Sequence, residues 1–103
     1  MSSHFDASRW ARLSLYEQMG NIGSEVGRAM NAMQRNDQPA LEGAYYRGLD
    51  LIDATVASWS SEARRRELLR AREEFTSAVG TQTIDKPLEA YFMQYAFAAR
   101  AGK

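Results

Sequence analysis

The chain has no cysteine and a single histidine, His4, in 103 residues. Without thiols there is no disulfide framework, no thiol nucleophile and no cysteine-ligated zinc or iron–sulfur site. One histidine also excludes the di-iron helical proteins, whose paired Glu-x-x-His motifs need two. An excess of one charge is missing as well: thirteen Lys+Arg stand against thirteen Asp+Glu. That balance weakens any case for bulk electrostatic attraction to nucleic acid or to an anionic membrane. No apolar run approaches the roughly eighteen residues of a membrane span. Met1-Ser2-Ser3-His4-Phe5-Asp6 lacks the basic and apolar regions of a signal peptide, so a cytoplasmic setting is the expectation. Lysine is nearly absent too: eleven of the thirteen basic residues are Arg, leaving Lys86 and Lys103. Arg favours planar pairing and stacking over simple solvation, although a GC-rich genome gives the same bias.

What is present is helical periodicity. The length suits one domain over 1–103, which buries about 60–65% of its unfolded surface and has little stability to spare. Leu15, Met19, Ile22, Val26, Met30 and Met33 recur three or four apart. At about 100° per residue they form a stripe roughly 80° wide, one buried face of a helix. Ser14 with Glu17 three residues on is a capping-box pattern. The pattern predicts a helix over 14–35 that stops in a polar turn. Asp37 and Pro39 then open a second helix over 38–59, with Leu41, Tyr45, Gly48/Leu49, Ile52, Val56 and Trp59 on one face. Ser60-Ser61 break it. Leu68, Ala71, Phe75 and Ala78/Val79 predict a third helix over 61–79, ending with Gly80 as C-cap. Asp85 and Pro87 open a fourth over 86–100, through Leu88, Phe92, Tyr95 and Ala99. Residues 1–13 form an N-terminal arm, with a helical turn from Asp6 to Leu13 that sets Trp10 and Leu13 over one end. No strand pattern occurs. The expectation is all-α, a four-helix antiparallel bundle with a short N-terminal helical turn.

Two resemblances follow from these residues. Asp37-Gln38-Pro39-Ala40-Leu41 through Tyr45 to Gly48-Leu49 resembles the second helix of a tetratricopeptide repeat, with small Ala29 where that repeat also wants one. Glu25, Arg28 and Ala32 depart from its first helix, and no second copy follows 34 residues on, whereas stable arrays need about three. The run Ser8-Arg9-Trp10…Leu13…Gln18-Met19-Gly20-Asn21-Ile22-Gly23-Ser24-Glu25-Val26, with the ending Tyr91-Phe92-Met93-Gln94-Tyr95…Ala98-Ala99-Arg100, resembles a family of small, uncharacterised all-helical prokaryotic proteins. That resemblance implies an all-helical fold and carries no activity over.

Several features are candidates for function. Gly20, Gly23 and Gly27 each cost a helix interior about 1 kcal/mol relative to Ala. They mark either a close approach of another helix, a kink, or a surface where a ligand meets bare backbone. They lack the spacing, lysine and preceding strand of a phosphate loop. Glu17, Asn21, Ser24, Glu25 and Arg28 make a mixed polar face that is either solvated or open to a partner or a base. Glu42, Asp50 and Asp53 share one side of the second helix and read as a solvated acidic face partly paired with Arg47, or as ligands for a magnesium ion. They have no His, Lys or nucleophile at catalytic spacing, and no cofactor motif is present.

The third helix carries Arg64, Arg65, Arg66, Arg70 and Arg72, a basic stripe of the kind that contacts phosphates. Glu62, Glu67, Glu73 and Glu74 stand within it, and Glu62–Arg66 and Arg70–Glu74 are at ion-pair spacing. The second and third helices can also pair acid face to base face. In the last helix, Tyr91-Phe92-Met93-Gln94-Tyr95-Ala96-Phe97 puts five large apolar or aromatic residues into seven, all round the cylinder. One face of a bundle helix cannot bury them all: either this helix is central and buries the surplus, or Tyr91, Met93 and Phe97 lie at the boundary or outside as a patch for a partner chain. Aromatics and Met favour interface cores. The function expected is non-enzymatic: protein–protein contact as a homo-oligomer or small accessory subunit, through Tyr91, Met93 and Phe97 joined by Gly20, Gly23 and Gly27. The alternative is an accessory protein that binds nucleic acid through the five arginines.

Overall fold

A helix leaves its first amide groups without partners, and five short acids or hydroxyls in this sequence stand where they can accept them. In the computed structural model, which describes residues 6–59 and 61–101, five helices follow in order. They are α1 (Ala7–Ala11), α2 (Leu15–Gln34), α3 (Gln38–Ser58), α4 (Glu62–Thr81) and α5 (Lys86–Ala101). The protein is all-helical, with no strand among the described residues. Ser14 Oγ accepts from the Glu17 amide at 3.1 Å while Glu17 Oε1 accepts from the Ser14 amide at 2.9 Å, the capping box in both directions. Asp6, Asp37, Ser61 and Asp85 accept first-turn amides of α1, α3, α4 and α5. Ser60 and His4 lie outside the described residues.

Two helix ends close in the same way. After α2, Asn36 takes a left-handed conformation (φ 57°) and the Asp37 amide donates back to the Ala32 carbonyl at 2.9 Å. After α4, Gln82 (φ 55°) does so, and the Thr83 amide reaches the Ala78 carbonyl at 2.9 Å. Both are Schellman closures. Gly80 is therefore not the C-cap: it sits inside α4, two residues before the left-handed position. The expected end came from residue type, but register placed the closure at a glutamine.

α2 is the centre. It packs closely on α3 and on α5, while α4 rests on α3 and meets α2 and α5 more lightly, and α1 lies on α3. Met19, Ile22, Val26, Met30 and Met33 are buried as their spacing requires, and Ala29 and Ala32 widen the stripe. Leu41, Ala44 and Ile52 come in from α3, Leu68 and Phe75 from α4, Leu88 and Phe92 from α5, forming one apolar cluster. The Tyr45 ring meets Phe75 edge-on at 5.2 Å between centroids.

Gly20 and Gly23 explain the closeness of α2 to α5. A Cβ on Gly23 would lie 2.7 Å from Phe92 Cβ, and one on Gly20 would lie 3.3 Å from Ala96 Cα. The cost of glycine in a helix is thus offset by bringing two backbones together. Gly27 is different: a Cβ there would meet nothing within 4 Å.

The arm is tied down through buried polar groups. Trp10 is buried, and its Nε1 donates to Thr55 Oγ1 at 2.9 Å, while Thr55 donates in turn to the Leu51 carbonyl at 2.8 Å. Gln18, also buried, donates from Nε2 to the Trp10 carbonyl at 2.8 Å and accepts from Trp59 Nε1 at 3.1 Å. A buried amide or indole without a partner is costly, so these bonds select one docking of α1 on α2 and α3. Sequence periodicity marked Trp10 and Trp59 as apolar positions and gave no role to Gln18.

Candidate functional site

The residues proposed for contact do not stay together. Met93 and Phe97 are exposed on α5, with 48% and 59% of their surfaces open. They are four residues apart, hence neighbours on one helix face. The Arg100 guanidinium lies 5.1 Å from the Phe97 ring centroid, a cation–π contact. Tyr91, by contrast, is half-buried against α4, where its hydroxyl donates to Glu67 Oε1 at 2.7 Å. Burial pushes that hydroxyl well above the ordinary tyrosine range, and the Glu67 bond adds to the effect. Tyr91 also meets Tyr95 edge-on at 5.6 Å, and Tyr95 meets Tyr16 at 6.1 Å. Gly20 and Gly23 are covered by α5 itself, so they are not open to a partner. The surplus aromatics therefore divide: Tyr91 closes the α4–α5 seam, while Met93 and Phe97 face outward.

The five arginines of α4 divide too. Arg72 grips Asp53 of α3 with both ends of the guanidinium, Nε at 2.8 Å and Nη2 at 3.2 Å. Acid face does meet base face, through this pair. Arg65 approaches Glu62 at 4.0 Å. The expected Glu62–Arg66 and Arg70–Glu74 pairs are not formed. Arg64, Arg66 and Arg70 are exposed and in no ion pair among the described residues. Arg64 borders a cleft with Leu15 and Trp59, whereas Arg70 borders another with Glu67, Glu74 and Tyr91. A single basic stripe is not what α4 presents.

The acidic set is dispersed by the same pairing. Asp53 belongs to Arg72, and Glu42 accepts from Gln38 Nε2 at 3.3 Å. Asp50 is exposed. Among the described residues no group of three His, Asp or Glu side chains is placed to hold a metal ion. Arg47, expected beside these acids, turns instead to Glu25 of α2.

Glu25 is the residue that helical patterning misplaced. Read as part of a solvated polar face, its side chain is only 12% exposed and sits between α2 and α3. A Cβ on Gly48 would come within 3.5 Å of Glu25 Cβ and 2.9 Å of the Phe75 ring, so Gly48 makes room for both. Glu25 Oε2 pairs with Arg28 Nη1 at 3.1 Å and Oε1 with Arg47 Nε at 3.2 Å. The second contact is an ion pair without the alignment of a hydrogen bond, since Oε1 has no hydrogen-bond donor. A glutamate between arginines at three and twenty-two residues' distance was the available signal, and only the tertiary pairing reveals it.

No protein-family model, no curated protein and no solved structure matches the chain. No helix among the described residues is long and apolar enough to cross a membrane.

Proposed function

We propose that the chain is a non-enzymatic binding protein that works through protein–protein contact, in a cytoplasmic setting, as a homo-oligomer built on the outer face of α5. The observation that carries this reading is the exposure of Met93 and Phe97 four residues apart on one helix. A two-fold contact brings each residue i against some j and each j against i. Antiparallel packing of two α5 helices with Met93 opposite Phe97 also sets Arg100 of each copy near the level of Glu89 in the other. Among the described residues, the one ion pair of Glu89 is a 3.8 Å approach of Lys86. Such a pairing would match the face to itself in sign. Short connections between the four long helices support reading them as an antiparallel bundle, with α5 along its outside.

Specific interfaces usually bury about 800 Å² on each partner, and two side chains on one helix fall short of that. Association is therefore expected to be weak and concentration-dependent. Light scattering after size exclusion should show the mass rising from 11.6 kDa toward a dimer as concentration increases. Replacing Met93 and Phe97 with glutamate should hold it at the monomer with the helical circular dichroism unchanged. A wild-type chain that stays monomeric at about 1 mM, a concentration where a contact worth about 4 kcal/mol is half-formed, would refute self-association. The accessory-subunit form of the reading, with a different chain on this face, would then be the one to pursue.

A second reading has one observation in its favour. Arg64, Arg66 and Arg70 are charges that the fold leaves unpaired among the described residues. Nucleic-acid binding through them predicts affinity that falls linearly with salt on logarithmic axes. With Arg72 and Arg65 engaged, its slope should correspond to no more than three phosphate contacts.

A further inference from the structure

Between α2 and α3 lies a cleft of about 230 Å³ whose wall carries three guanidinium groups and no carboxylate. Arg28 and Arg35 line it from α2 and its C-cap and Arg47 from α3, with Asn31, Pro39, Ala40 and Gly43 completing the wall. Three other clefts among the described residues differ in kind. One holds Glu74 and Asp85 with no base, another has Arg70 between two glutamates, and a third has Arg64 alone. Among these four clefts of the described residues, only this one gathers three basic side chains.

The carboxylates that partner these arginines do not line the cleft. Glu25 is largely buried and holds Arg28 and Arg47 together, while Asp37 approaches Arg35 at 3.4 Å. Each guanidinium has five N–H donors, and each acid contact engages only one or two. Arg28 keeps Nε and Nη2, Arg47 keeps both terminal nitrogens, and Nη1 of Arg47 lies close over Gly43, where an added Cβ would sit 3.1 Å away. A side chain at 43 would crowd that guanidinium. The helix terminus supplies nothing here: Pro39 has no N–H, and the Ala40 amide is given to Asp37 Oδ1 at 3.2 Å. Recognition would rest on side chains.

We infer that this cleft binds a phosphate dianion, free or as a compact phosphomonoester, through Arg28, Arg35 and Arg47. Guanidinium groups match phosphate oxygens in pairs, and several arginines converging from two helices favour a multiply charged anion over a single carboxylate. Size limits the rest of the molecule. Drug-sized ligands occupy about 300–1,000 Å³, so the cleft takes a phosphate with a few carbon atoms and not a whole nucleotide. Asn31 is placed to serve a hydroxyl of such a molecule.

The test is a proton–nitrogen NMR titration of the full chain with inorganic phosphate and with glycerol 3-phosphate, ionic strength held constant with chloride. Saturable shifts are expected at Asn31, Ala40 and Gly43, half-complete at or below about 5 mM. Tighter binding of glycerol 3-phosphate identifies the ester as the ligand, and equal binding identifies free phosphate. Arg35→Gln and Arg47→Gln should each weaken binding about tenfold, the loss expected for a charge-assisted contact. Arg66→Gln, on the far helix, should change nothing. Shifts that stay linear in concentration, or an equal loss in Arg66→Gln, would overturn the site in favour of diffuse charge. Arg35 and Arg47 side chains are more than half exposed, so a folding defect in both is not expected. If Arg47→Gln disturbs signals throughout, Arg35→Gln alone decides.

Discussion

The contact of α2 with α5 and the contact of α3 with α4 solve one problem by opposite means. In the first, side chains are removed until backbones meet: Gly20 and Gly23 lie against Ala96 and Phe92. In the second, the helices stand further apart and long side chains fill the space. There Phe75 packs beneath Gly48 and against the Tyr45 ring, the Tyr45 hydroxyl bonds Thr76 at 3.1 Å, and Arg72 grips Asp53 at the rim. Close packing of bare backbone tolerates no added atom, because nothing at the contact can rotate away. The Tyr45–Thr76 and Arg72–Asp53 contacts at the rim tolerate small losses, because each makes a modest contribution in partial contact with water.

The largest expected effect breaks the first contact. Gly23→Ala puts a Cβ 2.7 Å from Phe92 Cβ, and neither atom can move without its helix. Overpacking costs about 1–3 kcal/mol and the gain in helix propensity returns at most about 1, so a net loss of about 1–2 kcal/mol should appear in urea unfolding. No loss would mean that α5 is not seated on Gly23. Next comes Gly27→Ala, one turn further along the same helix, where the Cβ would meet open space. It should stabilise by about 0.5–1 kcal/mol, from propensity and a stiffer unfolded chain. The opposite signs of these two substitutions separate a glycine required by packing from one that is not. The smallest effect belongs to the second contact. A double-mutant cycle on Asp53 and Arg72 should give a coupling of about 0.2–1 kcal/mol that shrinks as salt is added. A larger, salt-insensitive coupling would show that this rim is built like the α2–α5 seam after all.

Most of the fold was legible in the order of residues. Helix starts announce themselves through local chemistry: Ser14 with Glu17, Asp37 with Pro39, and Asp85 with Pro87 act within four residues of themselves. Buried faces follow from spacing, since Met19, Ile22 and Val26 on α2 have no other way to leave water together. The surplus of apolar residues on α5 was also legible, but not which of them face outward: Met93 and Phe97 do, while Tyr91 turns to Glu67. The C-terminal end of α4 was not, as Gly80 is available for a left-handed turn but the register put that turn at Gln82.

Sequence alone, then, determined the all-helical class, the caps and stripes of four helices, and a protein with no thiol chemistry. Each depends on neighbours at most a few residues away. The tertiary structure decided which polar groups meet. Only it could put Tyr91 on Glu67, Arg72 on Asp53, Arg47 on Glu25, and the two indoles on Thr55 and Gln18. A charge or an amide on a helix has no preferred partner along the chain beyond the next turn. Its partner is fixed when helices dock, and docking here was set by the missing side chains of Gly20 and Gly23 on one side of α2 and the space above Gly48 on the other.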